Sequence, residues 1–399
     1  MTVLPAERAD ILKQAKARKM ARSVHAYVRG NTARFYDWLD ASDAARLIPQ
    51  GPPIWICGDC HLGNLGPLAD AGTNVDVQIR DLDQTVIGNP ALDLVRLGLS
   101  LETAARSADL PGVTTARMIE AMANAYLAAF DMDDDDARDA PREPDVVRVV
   151  RKRAAGRKWR QLAADRIGDT KPSLPIGRRF WPLTGNERSA IDALFDEEAV
   201  RERALALAGY RDKGRLRVID AAYWKKGCSS LGQLRYAVLL GVAPRKGASE
   251  YLALVDIKEA VKPLAPVLDR RAMPRDNAER VVAGARALSP HLGERMIAAR
   301  LLGRAVVLRE LKPQDLKIEI GQFSHRDAVR AASYLAHVVG AAHARQLNKD
   351  DRTAWQALFS RRGDAALNAP SWLWRAVVDL AGNHEAAYLE HCRRYALSD

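Results

Sequence analysis

The chain has 399 residues, of which 48% are apolar and 28% charged, with four cysteines and a formal net charge of +11. This composition is typical of a globular protein large enough for two lobes, and it excludes a disulfide-stapled secreted domain. No apolar run reaches the roughly 20 residues of a membrane span, and the first 20 residues lack the apolar core of a signal peptide, so we expect a cytoplasmic protein without a membrane partner.

The excess of basic residues favours an anionic partner. Nucleotide phosphate, an acidic substrate and nucleic acid all meet this requirement, and charge alone does not choose among them. The most basic predicted helix, 144–164, has a charged face that is either solvated or in contact with an anionic substrate. A nucleic-acid partner is therefore possible but not favoured.

The first 210 residues are predicted to be mainly helical. Apolar residues recur at helical spacing in six segments, 6–28, 32–46, 91–105, 113–130, 144–164 and 187–208. Gly30 and Asn31 mark the break between the first two helices. Two short β-branched runs, 54–56 and 75–79, interrupt the helical pattern and predict a small hairpin.

The pattern becomes β-rich between residues 211 and 322. Strand-like runs lie at 216–222, 234–240, 251–257 and 305–311, with one helix at 276–287. The remaining predicted helices lie at 326–346, 354–360 and 373–394. We therefore predict an α+β fold with two lobes. Residues 1–210 and 323–399 form a helical lobe, and residues 211–322 form a β-rich lobe.

The segment CGDCHLGN, residues 57–64, carries the clearest indication of chemistry. Phosphoryl transfer needs a carboxylate that orients the attacking hydroxyl, and oxygen ligands that hold Mg²⁺. Asp59 and Asn64 have the spacing of the catalytic aspartate and the metal-binding asparagine of a kinase loop. Asp81 and Asp83 then end a strand-like run, where kinases carry a further metal-binding aspartate. The spacing predicts Mg²⁺-dependent phosphoryl transfer.

Three pieces in order, GDxHxxN, a strand ending in DxD, and GNPxxDL at 88–94, resemble aminoglycoside phosphotransferases and choline kinases. The resemblance implies a catalytic base at Asp59, Mg²⁺ ligands at Asn64 and Asp81, assistance with the metal from Asp83, a loop-shaping role for His61 and a structural anchor at Asp93.

Two other chemistries share the same residues. Cys57, Cys60 and His61 match the C-x-x-C-H attachment sequence of c-type haem, but that attachment requires export, and the later aspartates would have no role. A zinc site built on these three residues lacks a second pair of ligands. We expect the cysteines to pack as small buried side chains.

The nucleotide site of a kinase also needs a glycine-rich loop and a lysine at the end of a strand. The sequence KGCSSLG, 226–232, lies between two strand-like runs, and its glycines would let backbone amides approach phosphate oxygens. Its candidate ATP-binding residues are Gly227, Ser229, Ser230 and Gly232. Lys258, at the end of LALVDIK, would neutralise the α- and β-phosphates and complete the catalytic set with Asp59.

The helix that follows Lys258 carries Glu279 as the candidate ion-pair partner of this lysine, with Asp276 and Glu259 as rivals. The strand that contains Arg309 and Glu310 would lead to the hinge that binds adenine. We therefore assign Glu310 to the nucleotide site.

In an ordinary kinase the nucleotide lobe precedes the catalytic loop, whereas here it follows. The simplest account is a circular permutation of a kinase-like fold. The layout resembles the uncharacterised bacterial family called domain of unknown function 2252. Its marks here are YVRG at 27–30, GDxH at 58–61, the 227–232 loop, IKEA at 257–260, Arg309 with Lys317, and AHAR at 342–345.

That family implies a kinase-like fold but no substrate, and in it Arg29 and Arg309 would support the site or contact the substrate. We expect a phosphotransferase that uses ATP and Mg²⁺ to phosphorylate a hydroxyl of a small molecule. Nucleotidyl transfer and protein phosphorylation are alternatives on the same fold. A nucleotide-binding pseudokinase and a basic nucleic-acid-binding protein are alternatives from other classes. Oligomeric state stays open.

Overall fold

The computed structural model describes residues 3, 5–70, 74–131, 142–157, 173–207, 214–227, 231–243, 250–316, 324–360 and 369–395. Within these residues the protein is a mixture of helix and sheet. The helices are α1 (Pro5–Met20), α2 (Val24–Gly30), α3 (Thr32–Ala41), α4 (Ala91–Ser107), α5 (Gly112–Asp131), α6 (Asp145–Ala155), α7 (Gly185–Asp196), α8 (Glu198–Leu207), α9 (Asn277–Leu288), α10 (Pro290–Gly293), α11 (His325–Ala344), α12 (Lys349–Phe359) and α13 (Ser371–Tyr395). The strands are β1 (Ile54–Ile56), β2 (Leu65–Ala69), β3 (Val75–Ile79), β4 (Val86–Gly88), β5 (Phe180–Trp181), β6 (Arg215–Trp224), β7 (Arg235–Ala243), β8 (Tyr251–Glu259), β9 (Met296–Leu301) and β10 (Arg304–Leu311).

Six strands form one antiparallel sheet in the order β5-β6-β7-β8-β10-β9. One face is apolar and is covered by α7 and α8. Ile191 and Phe195 of α7 pack with Val238 of β7. On the other face Val281 of α9 packs against Val307 of β10. Asp276 starts α9 by accepting hydrogen bonds from two amides of the first turn. The sheet therefore has one apolar face and one face that α9 covers only in part.

The second core is helical and contains α4, α5, α11 and α13. Helices α5 and α11 lie very close together at Gly340. A Cβ atom at this position would stand 2.7 Å from the carbonyl oxygen of Tyr126. Two small antiparallel pairs, β1 with β4 and β2 with β3, lie on this core. Helix α4 begins directly after β4, which places its first turn beside the loop that follows β1.

Helix α1 contacts both cores. Near its start, the buried Arg8 forms an ion pair of 2.7 Å with Glu187 of α7, and Leu12 packs in the sheet core. Near its end, the carbonyl oxygen of Ala17 accepts a hydrogen bond of 2.8 Å from His391 Nε2 in α13. The helix thus holds the sheet and the helical core at a defined separation.

The structure confirms, within three residues at each end, the four predicted strands after residue 211 and the predicted helices at 91–105, 113–130, 276–287, 326–346 and 373–394. The predicted helix at 354–360 begins earlier, at Lys349. Part of the basic helix predicted at 144–164 is α6, and residues 158–164 lie outside the described residues.

The predicted hairpin of 54–56 with 75–79 is wrong. The first run pairs with β4 and the second with β2. Strand β2, with the sequence LGPLA, has no β-branched residue and contains glycine and proline, so composition conceals it. Strand β9 was also not predicted.

Three predicted helix ranges also differ from the structure. Residues 6–28 form two helices because α1 ends at Met20 and Ser23 caps a new helix. Residues 187–208 also form two, which meet at Glu197. The range 32–46 holds α3 and a separate 3-10 turn.

No helix within the described ranges is long and apolar enough to cross a membrane.

The buried His384 of α13 makes stability depend on pH. Burial, helped by the charge of Arg96, lowers its pKa to about 3, whereas the unfolded chain has a histidine pKa of about 6.5. The unfolded state therefore binds a proton at this imidazole that the folded state does not bind. The stability that depends on the neutral imidazole of His384 is lost as the pH falls below about 6.5. We expect this group to lower the free energy of unfolding by about 1.4 kcal/mol per pH unit between about pH 6 and 4.

Urea denaturation of the parent protein and of His384→Leu across this range measures the effect. The variant should lose stability more slowly with acid, while His25, whose pKa is lowered to about 4, contributes equally to both curves. Parallel curves would contradict a neutral buried imidazole.

Candidate active site

The loop after β1 is held by a buried carboxylate from α4. Asp93 accepts hydrogen bonds from the backbone amides of Cys57 at 2.7 Å and Gly58 at 2.9 Å. His343 of α11 approaches the same carboxylate with its Nε2 at 3.2 Å. Tyr126 of α5 meets the other nitrogen of this imidazole at 3.0 Å. Three helices thus fix the backbone that carries Asp59.

Gly58 is the tightest point of the loop. Its φ of +73° lies in the left-handed region, and a Cβ atom there would stand 2.3 Å from the carbonyl oxygen of Gln84. We expect Gly58→Ala to lower the free energy of unfolding by more than about 2 kcal/mol, because the side chain is both strained and obstructed. Gly185→Ala is the matched control, since no atom lies within 4 Å of its Cβ position, and denaturant titration compares the two. Equal losses would contradict this account.

Asp59 is buried, and both of its carboxylate oxygens have partners. Arg96 Nε donates to Oδ1 and Thr32 Oγ1 donates to Oδ2, each at 2.8 Å. Burial raises the pKa of Asp59, and Arg96 and Thr32 partly oppose this rise. The backbone carbonyl of Asp59 accepts a hydrogen bond of 2.9 Å from Asn64 Nδ2, which ties the two ends of the loop together.

Lys258 of β8 meets two acidic residues of the helical lobe. Its Nζ lies 3.3 and 3.4 Å from the oxygens of Asp81 and also contacts Asp83. Burial alone would lower the pKa of Lys258, but the two carboxylates outweigh it and the pKa is raised. Burial and the charge of Asp81 raise the pKa of Asp83 to about 6, while the cations Lys258 and Arg235 outweigh burial and keep Asp81 ionised with a lowered pKa.

Further cations flank Lys258 on the same face of the sheet. Arg235 of β7 forms a bidentate pair with Asp256 at 2.5 and 2.8 Å. Lys226 lies 3.4 Å from the same carboxylate and 3.9 Å from the centre of the Trp224 ring. Three cations, Lys258, Arg235 and Lys226, therefore gather with three carboxylates, Asp81, Asp83 and Asp256, an arrangement with groups for both phosphate and a divalent cation.

Asp59, Asn64, Asp81 and Asp83 border a cleft of about 260 Å³ between the sheet and the helical core. Lys258, Arg235 and Asp256 line a smaller cavity of about 60 Å³ that shares Asp81 and Asp83 with this cleft. Its lining residues include Lys16, Asn31, Thr32, Asp59, Asn64, Asp81, Asp83, Gln84, Gln233 and Lys262. The acidic and amide oxygens of Asn64, Asp81 and Asp83 form a donor set of the kind that Mg²⁺ prefers. The ammonium group that already lies between Asp81 and Asp83 shows that this position stabilises a cation.

The predicted glycine-rich loop is only partly described. Gly227 and Gly232 have φ values of +97° and +104°, which favour glycine. The carbonyl oxygen of Gly227 accepts a hydrogen bond of 2.8 Å from Lys19 of α1. Gln233, directly after the loop, lines the cleft. Ser229 and Ser230 lie outside the described residues.

Two predicted residues do not reach the cleft. Glu279 is exposed in the first turn of α9, and within the described ranges it forms no ion pair with Lys258. The Glu310 side chain is buried on the opposite face of the sheet, among Phe195, Val255 and other apolar side chains, where burial raises its pKa. Side chains alternate along a strand, so Arg309, and not Glu310, faces the cleft.

The predicted supporting residues border the site. His61 is buried, and burial lowers its pKa well below the usual range. The guanidinium of Arg29 lies against the loop, since a Cβ atom at Gly63 would stand 2.7 Å from its Nη2. Arg309 donates to the carbonyl oxygen of Arg80 at 3.0 Å and pairs with Asp315 at 2.9 Å.

Four residues of the site were not singled out from the sequence, namely Thr32, Arg96, Arg280 and Asp315. Arg280 of α9 is buried and donates to the carbonyl oxygens of Asp83 at 3.1 Å and Val261 at 2.9 Å, and also to that of Thr85. Arg280 therefore holds the segment that carries Asp81 and Asp83 in place. It does so from α9, the helix on which Glu279 was expected to pair with Lys258. Arg280 lies four residues before Gly284 on a helix with an apolar face. This spacing was the feature of the sequence that could have indicated its inward position.

Cys57 and Cys60 are buried, as predicted, and together with Asp93 they place ligand atoms within 4.8 Å of one another. A hydrogen bond to Cys60 and burial raise the pKa of the Cys57 thiol. That hydrogen bond lowers the pKa of Cys60, but burial and the Asp93 charge outweigh it. These three donors are one fewer than the four ligands of a structural zinc site.

The model of a family described as "Uncharacterized protein conserved in bacteria (DUF2252)" matches residues 8–394 of the chain. No curated protein matches the chain, and no solved structure matches it.

Proposed function

We propose that this chain, which belongs to the uncharacterised bacterial family DUF2252, is an ATP- and Mg²⁺-dependent phosphotransferase with a circularly permuted kinase-like fold. The contact of Lys258 with Asp81 and Asp83 carries the proposal. The lysine and Asp81 are 177 residues apart in the chain and come from the sheet and the helical core. A kinase site requires this meeting of a strand lysine with a metal-binding aspartate.

The order of elements in the sheet supports the same proposal. A glycine-containing loop joins β6 to β7, a lysine stands at the end of β8, helix α9 follows, and β9 and β10 complete the sheet. This is the order of a kinase nucleotide lobe up to the hinge. The loop that carries Asp59 precedes this lobe in sequence, and a circular permutation accounts for that order.

Each residue then has a chemical role. Lys258 donates to phosphate oxygens, with Arg235 adding positive charge behind it. Asp81, Asp83 and Asn64 would hold Mg²⁺, which would supply charge neutralisation at the transferred phosphate. The cations Lys258 and Arg235 keep Asp81 ionised with a lowered pKa, whereas burial and the charge of Asp81 raise the pKa of Asp83.

Asp59 orients the acceptor hydroxyl. A carboxylate offers about four lone-pair positions, so Asp59 can accept one more hydrogen bond beyond those from Arg96 and Thr32. As the phosphoryl group bonds to the acceptor oxygen and the bond to the leaving ADP breaks, the hydroxyl proton passes to Asp59. The raised pKa of Asp59 favours this proton acceptance.

Binding of Mg·ATP by calorimetry tests the nucleotide site. We expect Lys258→Met to weaken binding by about tenfold or more, because it removes a charge-assisted contact to phosphate. Lys349→Met, at an exposed position of α12, should bind as the parent does. Absence of Mg²⁺-dependent ATP binding by the parent would contradict the proposal. Product masses with labelled ATP then separate phosphoryl from AMP transfer, and binding without any product would indicate a pseudokinase.

A further inference from the structure

We infer that the groove between α1, α3 and α13 is the acceptor site and that the acceptor is an anionic hydroxyl compound, with a carboxylate or phosphate group remote from the reacting hydroxyl. This inference rests on the proposed function, because it assigns a substrate class to the same site. Below, the name basic groove denotes this surface, which is lined by Lys13, Lys16, Tyr27, Asn31, Arg34, Asp37, Glu390, His391, Arg394 and Tyr395 among others.

The basic groove adjoins the catalytic cleft. Lys16 and Asn31 line both cavities. The next residue, Thr32, donates its hydroxyl to Asp59, so one turn of α3 separates the groove from the catalytic carboxylate. The groove volume of about 680 Å³ lies within the roughly 300–1,000 Å³ of small-molecule sites. An acceptor anchored there can extend a hydroxyl to Asp59.

The charge of the basic groove selects an anion. Four cationic side chains, Lys13, Lys16, Arg34 and Arg394, face two carboxylates, Asp37 and Glu390. Glu390 is already neutralised by Arg394 at 2.8 Å. The Nε of Arg34 is buried and has no hydrogen-bond partner among the residues that the structure describes. A buried donor without a partner is costly, and a ligand carboxylate or phosphate would satisfy it.

Aromatic rings form the floor of the basic groove. The ring centre of His391 lies 5.3 Å from that of Tyr27 and 4.7 Å from that of Tyr395. The hydroxyl of Tyr27 accepts a hydrogen bond of 2.9 Å from Asn31. A cavity lined by aromatic side chains with a few polar groups is typical of small-molecule sites. Cationic acceptors would meet the charge of the lysines and arginines, so we expect them to be rejected.

Calorimetric titration with four hexose probes, without nucleotide, tests the inference. Gluconate carries a carboxylate, glucose 6-phosphate a phosphate, glucose no charge and glucosamine a positive charge. We expect the parent to bind at least one of the two anions and neither of the other probes. Preference for gluconate or for glucose 6-phosphate identifies the anionic group of the acceptor. Equal binding of glucose, or binding of glucosamine, would overturn the inference.

Charge reversal locates the binding. Lys13→Glu/Arg34→Glu should weaken anion binding by about tenfold or more. Lys152→Glu/Arg153→Glu removes the same charge from exposed positions of α6 and should have no effect. If the double variant folds poorly, the single variant Lys13→Glu, at an exposed position, replaces it. This variant should show part of the loss of anion binding. Equal loss in both double variants would overturn the assignment to this groove.

The two proposals fail separately in these experiments. Mg·ATP binding by the parent together with no anion binding would overturn the acceptor site and leave the phosphotransferase proposal standing. Groove-dependent anion binding without any Mg·ATP binding supports an anion site here and overturns the proposed function.

Discussion

Replacing Asp81 by asparagine is expected to lower Mg·ATP turnover by about a thousandfold or more, because the change removes a proposed Mg²⁺ ligand whose carboxylate Lys258 and Arg235 keep ionised with a lowered pKa. Asparagine keeps the shape of the side chain, so the fold should persist. Lys258 would keep its contact with Asp83. Turnover of labelled ATP at saturating Mg²⁺, with circular dichroism as the check of folding, measures the effect.

Asp43→Asn is the matched control for this change. Asp43 is exposed and forms only a surface pair with Arg46, and such pairs contribute little. We expect full turnover from the control. Turnover of Asp81→Asn close to that of the parent, in a folded protein, would remove Asp81 from the metal site and with it the kinase-like arrangement of the cleft.

Replacing Arg96 by methionine is expected to lower the free energy of unfolding by about 3–5 kcal/mol, because Asp59 would remain buried without its cation. The Arg96 side chain is fully buried, with its Nε 2.8 Å from the Asp59 carboxylate and its Nη2 2.6 Å from the carbonyl oxygen of Val28. Asp59 would then take up a proton more readily, so activity should fall as well. Denaturation by urea gives the free energy directly.

The surface pair of Arg217 and Glu250 provides the control. This pair is bidentate, at 2.6 and 2.7 Å, but the Arg217 side chain is 60% exposed. Arg217→Met should therefore cost less than about 1 kcal/mol. The double variant Arg96→Met/Asp59→Asn should recover part of the loss, because it removes the unpaired charge. A loss from Arg96→Met as small as that of the control would show that Asp59 is not held by this ion pair.

The sequence predicted the residues of the cleft better than the contacts among them. The spacing of Asp59 and Asn64 belongs to one short loop, and Asp81 and Lys258 each end a strand. Local patterns of this kind can be read without the fold. The structure brings Asp59, Asn64 and Asp81 to one cleft and places Lys258 in contact with Asp81, and their catalytic roles stay predictions until the experiments above are made.

Contacts that depend on distant packing were not readable. The pairing of β1 with β4 is decided by strands 30 residues apart along the chain, and a short β-branched run does not specify its partner. Glu279 was expected at Lys258 because of its helix, but one position along that helix Arg280 points inward. Glu310 lies on the opposite face of the sheet from Lys258, and Arg96 looked like any arginine on a helix until Asp59 was found beside it.

The two fully buried cysteines beside Asp59 allow the opening of the loop after β1 to be measured. Cys57 and Cys60 are shielded from water and their raised pKa values keep them as thiols. A thiol reagent can therefore modify them only in molecules whose loop has come away from α4. Peptide mapping gives the rate at which the two cysteines are modified. Compared with the rate at the half-buried Cys392, it measures how often the loop opens. Slower labelling in the presence of a bound compound would show that the compound closes the loop, even before any reaction product is known.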